Sequence, residues 1–204
     1  IKPENLQQTG SFKLRGAYNK ISQLSDEELK KGIICSSAGN HAQGVAYSAK
    51  KKGISSTIVM PNITPLLKVE ATKAYGSSVI VYGDVYDESY RHAVELSEKE
   101  ELTFVHPFDD YDVICGQGTI GMEILEDLEN VDEILVPIGG GGLISGVALA
   151  VKSLKPSVKI IGVVPLGAMS MKISIEEGII SRLASVKTIA EGVAVKQPGD
   201  LTFA

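Results

Sequence analysis

Tryptophan is absent from the 204 residues, cysteine occurs twice and histidine three times. The missing tryptophan decides nothing. The two cysteines, Cys35 and Cys115, lack the spacing of a metal site, which points to a reducing, cytoplasmic setting. No apolar run approaches the roughly 18 residues that a membrane span needs. The chain does not open with the basic, apolar and small-residue stretches of a secretory signal. It carries no strong excess of either charge: the formal net charge is -5, which gives no support for nucleic-acid or membrane binding. Repeats and low-complexity segments are missing too. What is present is a hydrophobic fraction of 44%, ordinary for a globular protein, and enough chain for one large domain or two small ones. The first residue is Ile1 rather than methionine, and the last, Ala204, follows no helix cap or polar tail. Both ends read as cuts through a longer protein.

Strand-like and helix-like stretches alternate from Gly32 onward. Ile33 to Cys35, Thr57 to Met60, Ser78 to Tyr82 and Leu102 to Val105 read as strands. Between them lie helical stretches from His41 to Lys52, from Thr64 to Tyr75 with Thr64 as its cap and Pro65 in its first turn, and from Tyr86 to Glu100. Four strands separated by helices predict a parallel sheet of βαβ units. The pattern then restarts: a helix over Gln117 to Leu128, a strand over Glu133 to Ile138, a glycine loop, a helix from Leu143 to Leu154, and a strand over Val158 to Val164. This predicts a second α/β sheet. A helical stretch around Arg15 to Leu24 is expected to pack with that second unit.

Three motifs carry chemistry. Gly139 to Gly142 sit between a hydrophobic strand and a helix, where backbone amides and the helix dipole form an anion site and glycine permits close approach. The loop lacks the lysine-serine/threonine ending of a P-loop and the G-x-G-x-x-G spacing, and no acid ends the next strand, so phosphate is the default ligand and NAD or ATP is poorly supported. The run Ser36-Ser37-Ala38-Gly39-Asn40-His41 also joins a strand to a helix; its hydroxyls, amide, imidazole and helix-start amides suit a carboxylate. His92 reads as a surface residue and His106 as a structural one. Third, Lys13 lies in Thr9-Gly10-Ser11-Phe12-Lys13-Leu14-Arg15-Gly16-Ala17, where small and aromatic neighbours suit an amine held against a flat ring. Such an amine becomes nucleophilic when burial or a nearby cation deprotonates it. A phosphate cup, a lysine and a carboxylate cup are the parts that pyridoxal phosphate needs.

On these motifs the chain resembles the fold-type II pyridoxal-phosphate enzymes, within them the group of threonine dehydratases, catabolic or biosynthetic, and serine racemases. The matching segments, Thr9 to Ala17, Ser36 to Gly44, Pro61 to Gly76, His106 to Glu123, Val136 to Gly146 and Thr188 to Phe203, follow the family's order over nearly the whole chain. The resemblance implies an α/β fold of two open, mainly parallel sheets flanked by helices, with a small domain (residues 32–109) inserted in a larger one (residues 1–31 and 110–204). It implies pyridoxal 5'-phosphate as cofactor, with Lys13 as its covalent anchor and as the catalytic base. Phe12 would lie against the cofactor ring and Asn40 would hydrogen-bond the ring hydroxyl. Gly139, Gly140, Gly141 and Gly142, with the amide of Leu143, would hold the phosphate. Ser37, Asn40 and His41 would take the substrate carboxylate. The implied reaction is β-elimination from L-threonine, and from L-serine, giving 2-oxobutyrate or pyruvate and ammonia. A place in isoleucine biosynthesis and a homodimer or homotetramer of the full-length protein are implied with it.

The chain also departs from the family. Racemases of the group carry a serine where Ala38 stands, and Ala38 cannot reprotonate a carbanion, which favours elimination. Relatives that bind a divalent cation use acids where Val164 and Ser170 stand here, so no metal is expected. Glu191 replaces a more usual aspartate. The late segment that meets the cofactor's ring nitrogen lies beyond these residues. Gln8, Thr9 and Gln43 fall near positions that some catabolic relatives use for an activating nucleotide. The reading from a different class is a non-catalytic phosphate- or nucleotide-binding α/β module, which would have no reason to place a lysine beside Phe12.

Overall fold

The computed structural model describes residues 1–204, which divide into two compact units, residues 3–107 and residues 108–204, with Ile1 joining the first and Lys2 the second. No helix is long and apolar enough to cross a membrane.

The first unit opens on a 3-10 turn, Glu4–Leu6, followed by α1 (Lys13–Gln23). Arg15 ties the two together through a bidentate pair with Glu4, at 2.7 and 2.9 Å. The short helix α2 (Asp26–Lys31) is not evident from apolar periodicity; it forms because Ser25 and Glu28 close a capping box at its start. Then come β1 (Ile33–Ser36), α3 (Asn40–Lys52), β2 (Ser56–Met60), α4 (Leu66–Lys73), β3 (Ser78–Val81), α5 (Tyr86–Lys99) and β4 (Thr103–Phe104). The strands form one parallel sheet in the order β3-β2-β1-β4, with Cys35 paired to Ile58 and Ile34 to Phe104. The inner strand β1 is buried along its whole length, as a parallel strand covered on both faces should be. On one face α5 packs through Ala93 against Ile34 and Val59, with Ile80, Leu96, Leu102 and Phe104 around them. Burying Ile34 and Val59 contributes about 2 kcal/mol each. Helix α3 packs on the same sheet and on α1, whose buried positions Ala17 and Ile21 are spaced for one helix face. Helix α1 therefore clusters with the first unit, a different grouping for residues 3–31 from the one the sequence suggests. The expected Thr64 cap is not made: α4 starts at Leu66 after Pro65, and the Thr64 hydroxyl is buried without a partner.

The second unit holds α6 (Tyr111–Asp127), β5 (Glu133–Pro137), α7 (Gly142–Leu154), β6 (Lys159–Val163), α8 (Ser170–Glu177) and α9 (Asp200–Phe203). Helix α6 begins six residues before the expected Gln117, because the Asp110 carboxylate caps the amides of Asp112 and Val113 at 2.9 and 3.1 Å. Strands β5 and β6 pair in parallel from Glu133↔Lys159 to Pro137↔Val163. Helices α6 and α7 cross closely at Gly118 and Gly146; a Cβ on Gly118 would stand 3.0 Å from the Gly146 carbonyl oxygen. This crossing seats α7 and the loop before it.

Candidate active site

Lys13 is the first residue of α1. Its side chain is half-buried, and Nζ donates to the Pro107 carbonyl at 2.5 Å. Burial lowers its pKa from 10.5 to about 8, because a desolvated ammonium is penalised against the neutral amine. A sizeable neutral fraction at mildly alkaline pH is what a nucleophile or a base requires. The Phe12 ring centroid lies 5.4 Å from Nζ.

The Ser36-to-His41 run connects β1 to α3 in the same unit. The amide of Ser37 still donates to Val59 at 3.1 Å, so the strand ladder extends one residue past β1. The Ser37 hydroxyl accepts from the Gly39 amide at 3.2 Å and folds the turn. Helix α3 then starts at Asn40 with Gly39 before it, and no side chain caps it. A helix of 13 residues thus presents uncapped first-turn amides beside Ser37 and an exposed Asn40, a donor set suited to an anion. Ala38, half-buried between them, carries no proton donor.

His41 differs from its neighbours in being buried. Its Nε2 lies 2.8 Å from the Val105 carbonyl. That oxygen only accepts, so Nε2 carries the proton and Nδ1, buried without a partner, is an acceptor. Burial, then the charge of Lys13 and a smaller contribution from His106, lowers the His41 pKa from 6.5 to about 3 against the opposing pull of the Val105 bond. A neutral ring in this tautomer has no free donor for a carboxylate. What His41 can offer an anion is its backbone N–H in the first turn of α3.

In the second unit the four glycines end β5 and start α7. Gly141 takes φ +104° at the cap position, with no side-chain cap. The space where side chains would sit is filled by the protein. A Cβ on Gly140 would meet the Phe108 ring at 2.5 Å, one on Gly141 the Thr202 Cβ at 2.6 Å, and one on Gly142 the Phe108 backbone oxygen at 2.8 Å. On Gly139 it would stand 3.0 Å from a Val195 methyl. A loop so tightly backed can be built only of glycine. Together with the uncapped amides of Gly142 and Leu143, it offers a compact set of backbone donors that fits a phosphate. The structure thus brings Phe12, Lys13, Ser37, Asn40 and His41 into the first unit and Gly139 to Leu143 into the second.

Several contributors escape sequence reasoning. Val105 and Pro107 act through backbone carbonyls, which bear no residue-type signal. Phe108, Met171, Val195 and Thr202 back the glycine loop, and nothing in their residue types marks them for it. Of the remaining histidines, His92 stacks on Tyr82 at 3.9 Å, and His106 lies edge-on to Tyr90 at 6.0 Å.

Residues 1–204 match the family model described as pyridoxal-phosphate dependent enzyme. The chain is 55% identical over 203 residues to an L-threonine ammonia-lyase of Thermotoga maritima, covering all of this chain and 51% of that protein. The processed form of threonine deaminase isoform 2 from Solanum lycopersicum superposes with a TM-score of 0.95 at 52% identity, over 98% of this chain and 55% of that one. Maize serine racemase superposes with a TM-score of 0.94 at 42% identity, over 98% and 60%. The chain spans about half the length of the curated relatives it matches. The chain belongs to the pyridoxal-phosphate-dependent enzyme family.

Proposed function

We propose that the protein is an ammonia-lyase that converts L-threonine to 2-oxobutyrate and ammonia, and L-serine to pyruvate and ammonia, with pyridoxal phosphate as cofactor. The observation that carries this reading is the buried Lys13 amine, with its pKa lowered to about 8 and its hydrogen bond to Pro107. When bound, pyridoxal phosphate withdraws electrons from the Cα of an attached amino acid and acidifies the Cα–H bond. Lys13 would hold the cofactor covalently, and its neutral amine would be the base placed for the substrate Cα–H. Phe12 supports the ring and Asn40 hydrogen-bonds its hydroxyl. Gly139 to Gly142 and the Leu143 amide hold the phosphate. Ser37, Asn40 and the backbone N–H of His41 orient the substrate carboxylate at the start of α3. The resemblance to serine racemase supports a second reading, against which Ala38 speaks: a methyl group cannot return a proton to the opposite face of Cα. In the whole protein we assign residues 32–109 to a smaller domain, and residues 1–31 and 110–204 to a larger one.

The test uses the full-length protein. Added pyridoxal phosphate turns it yellow, borohydride fixes the label on Lys13 in a peptide map, and threonine releases 2-oxobutyrate. A protein that stays colourless sinks the enzyme reading, and accumulation of D-serine as the main product from L-serine replaces it with racemisation.

A further inference from the structure

We propose that Asp109 is a positioning residue for the glycine loop, holding Gly140 in place through the turn at residues 199–203; the inference rests on reading that loop as the cofactor's phosphate site. The Asp109 carboxylate accepts three backbone N–H bonds, from Asp200 at 3.0 Å, Leu201 at 2.9 Å and Thr202 at 3.3 Å. These are the amides that open α9, and they are already used, so the turn is a strut rather than a ligand site. The strut reaches Gly140 twice: the Gly199 amide donates to the Gly140 carbonyl at 3.2 Å, and the Thr202 hydroxyl donates to the same oxygen at 2.5 Å. A second bond, from the Gly199 amide to the Thr202 hydroxyl at 3.1 Å, locks the turn on itself. A Cβ on Gly199 would overlap the Asp109 carboxylate, so glycine there is what lets the carboxylate come close.

The neighbour of Asp109 supports the same loop from another side. The Phe108 ring fills the space behind Gly140, and its backbone fills the space behind Gly142. Residues 108 and 109 thus back the loop by packing and by hydrogen bonding respectively. Both carbonyl bonds fall on Gly140, which fixes the plane of the Gly140–Gly141 peptide and hence the direction of the Gly141 N–H. A backbone anion site depends on amides held in position before the anion arrives, and charge-assisted bonds to a carboxylate are the strong kind of restraint. Asp109 acts at one remove, through residues 91 to 93 positions away in sequence.

The test compares pyridoxal phosphate with pyridoxal, which lacks the phosphate, on the full-length protein carrying Asp109→Ala or Thr202→Val. The valine keeps the shape of threonine and loses the hydroxyl's bonds to Gly140 and to Gly199. Pyridoxal phosphate should bind about tenfold more weakly to Asp109→Ala and severalfold more weakly to Thr202→Val, while pyridoxal affinity changes less than about twofold. In the cofactor-free protein, amide hydrogen exchange at residues 139–143 should accelerate about tenfold in Asp109→Ala, and to a smaller extent in Thr202→Val. Equal losses for the two aldehydes would mean a merely structural role and overturn the proposal. If Asp109→Ala does not fold, Thr202→Val decides by the same readouts. Wild-type protein that binds no pyridoxal phosphate overturns the phosphate site itself, whereas unchanged loop exchange in the variants overturns only the strut.

Discussion

In the first unit the proposed chemistry rests on one side chain whose charge is set by burial; in the second it rests on a stretch with no side chains, whose shape is set by what packs behind it. Lys13 needs only a covered amine and one acceptor, Pro107. The glycine loop needs Phe108, Thr202, Met171 and Val195 at its back, each filling the place of a missing Cβ. The two helix starts fit this division. Helices α2 and α6 are closed by Ser25 and Asp110, whereas α3 and α7 follow glycines and carry no side-chain cap. A capped start has satisfied its own donors, whereas one without a side-chain cap leaves them to water, to neighbouring groups or to a ligand. The first half should therefore be sensitive to pH and the second to volume.

The largest effect is expected from Gly141→Ala. The methyl meets the Thr202 Cβ at 2.6 Å and the Met171 Cε at 2.8 Å, and φ +104° disfavours any residue with a Cβ. Overpacking and backbone strain together should destabilise the protein by about 4 kcal/mol and abolish cofactor binding. Denaturant melts between pH 7 and pH 10.5 should give the same loss throughout. A loss that varies across that range would mean that the glycine half is not a matter of shape.

Lys13→Met should behave in the opposite way. The folded-state pKa of Lys13 is lowered to about 8, whereas in the unfolded chain it is about 10.4. Below pH 8 both states are protonated and the folded protein bears the whole cost of a buried ammonium. Between pH 8 and 10.5 the unfolded chain holds more protons than the folded one, so wild-type stability rises with pH. Methionine has no such cost. In the cofactor-free protein its advantage over lysine should shrink by about 3 kcal/mol across that window, on top of a constant loss from leaving Pro107 without its donor. A difference between the two that does not change with pH would show that the Lys13 amine is not desolvated.

The unequal legibility of the two halves follows from the same contrast. The Lys13 run, the Ser36-to-His41 run and the four glycines were readable because each has an unusual local composition between recognisable elements. The parallel strands around Ile34 and Val59 were readable from apolar runs separated by helical spacing. What holds these pieces was not. The Pro107 carbonyl lies 94 residues from Lys13, and every residue has a carbonyl. Nothing in His41 itself says that its ring turns inward to Val105 instead of outward to an anion. The start of α6 lies ahead of the Ile120, Ile124 and Leu128 spacing, because Asp110 sets it by a hydrogen-bonding signal. The packing of α1 on α3 depends on small residues, and such residues are too common to reveal their partner.

That last contact gives the smallest and most local test. Gly44 lies on the face of α3 that meets α1, and a Cβ there would stand 3.0 Å from the Lys13 carbonyl carbon and 3.1 Å from the Leu14 amide nitrogen. Both atoms are backbone, so Gly44→Ala must push the start of α1 away by a few tenths of an ångström. Crowding costs about 1–2 kcal/mol, and alanine recovers about 1 kcal/mol of helix propensity, so net stability should fall by about 0–1 kcal/mol. Turnover should fall further, by about tenfold, because the displaced residue carries the amine and catalysis is steeply sensitive to misplacement of a reacting group. Thermal melts paired with threonine turnover separate the two. Turnover that keeps pace with stability would mean that the spacing of α1 and α3 does not set the position of Lys13, leaving the Pro107 bond alone to do so.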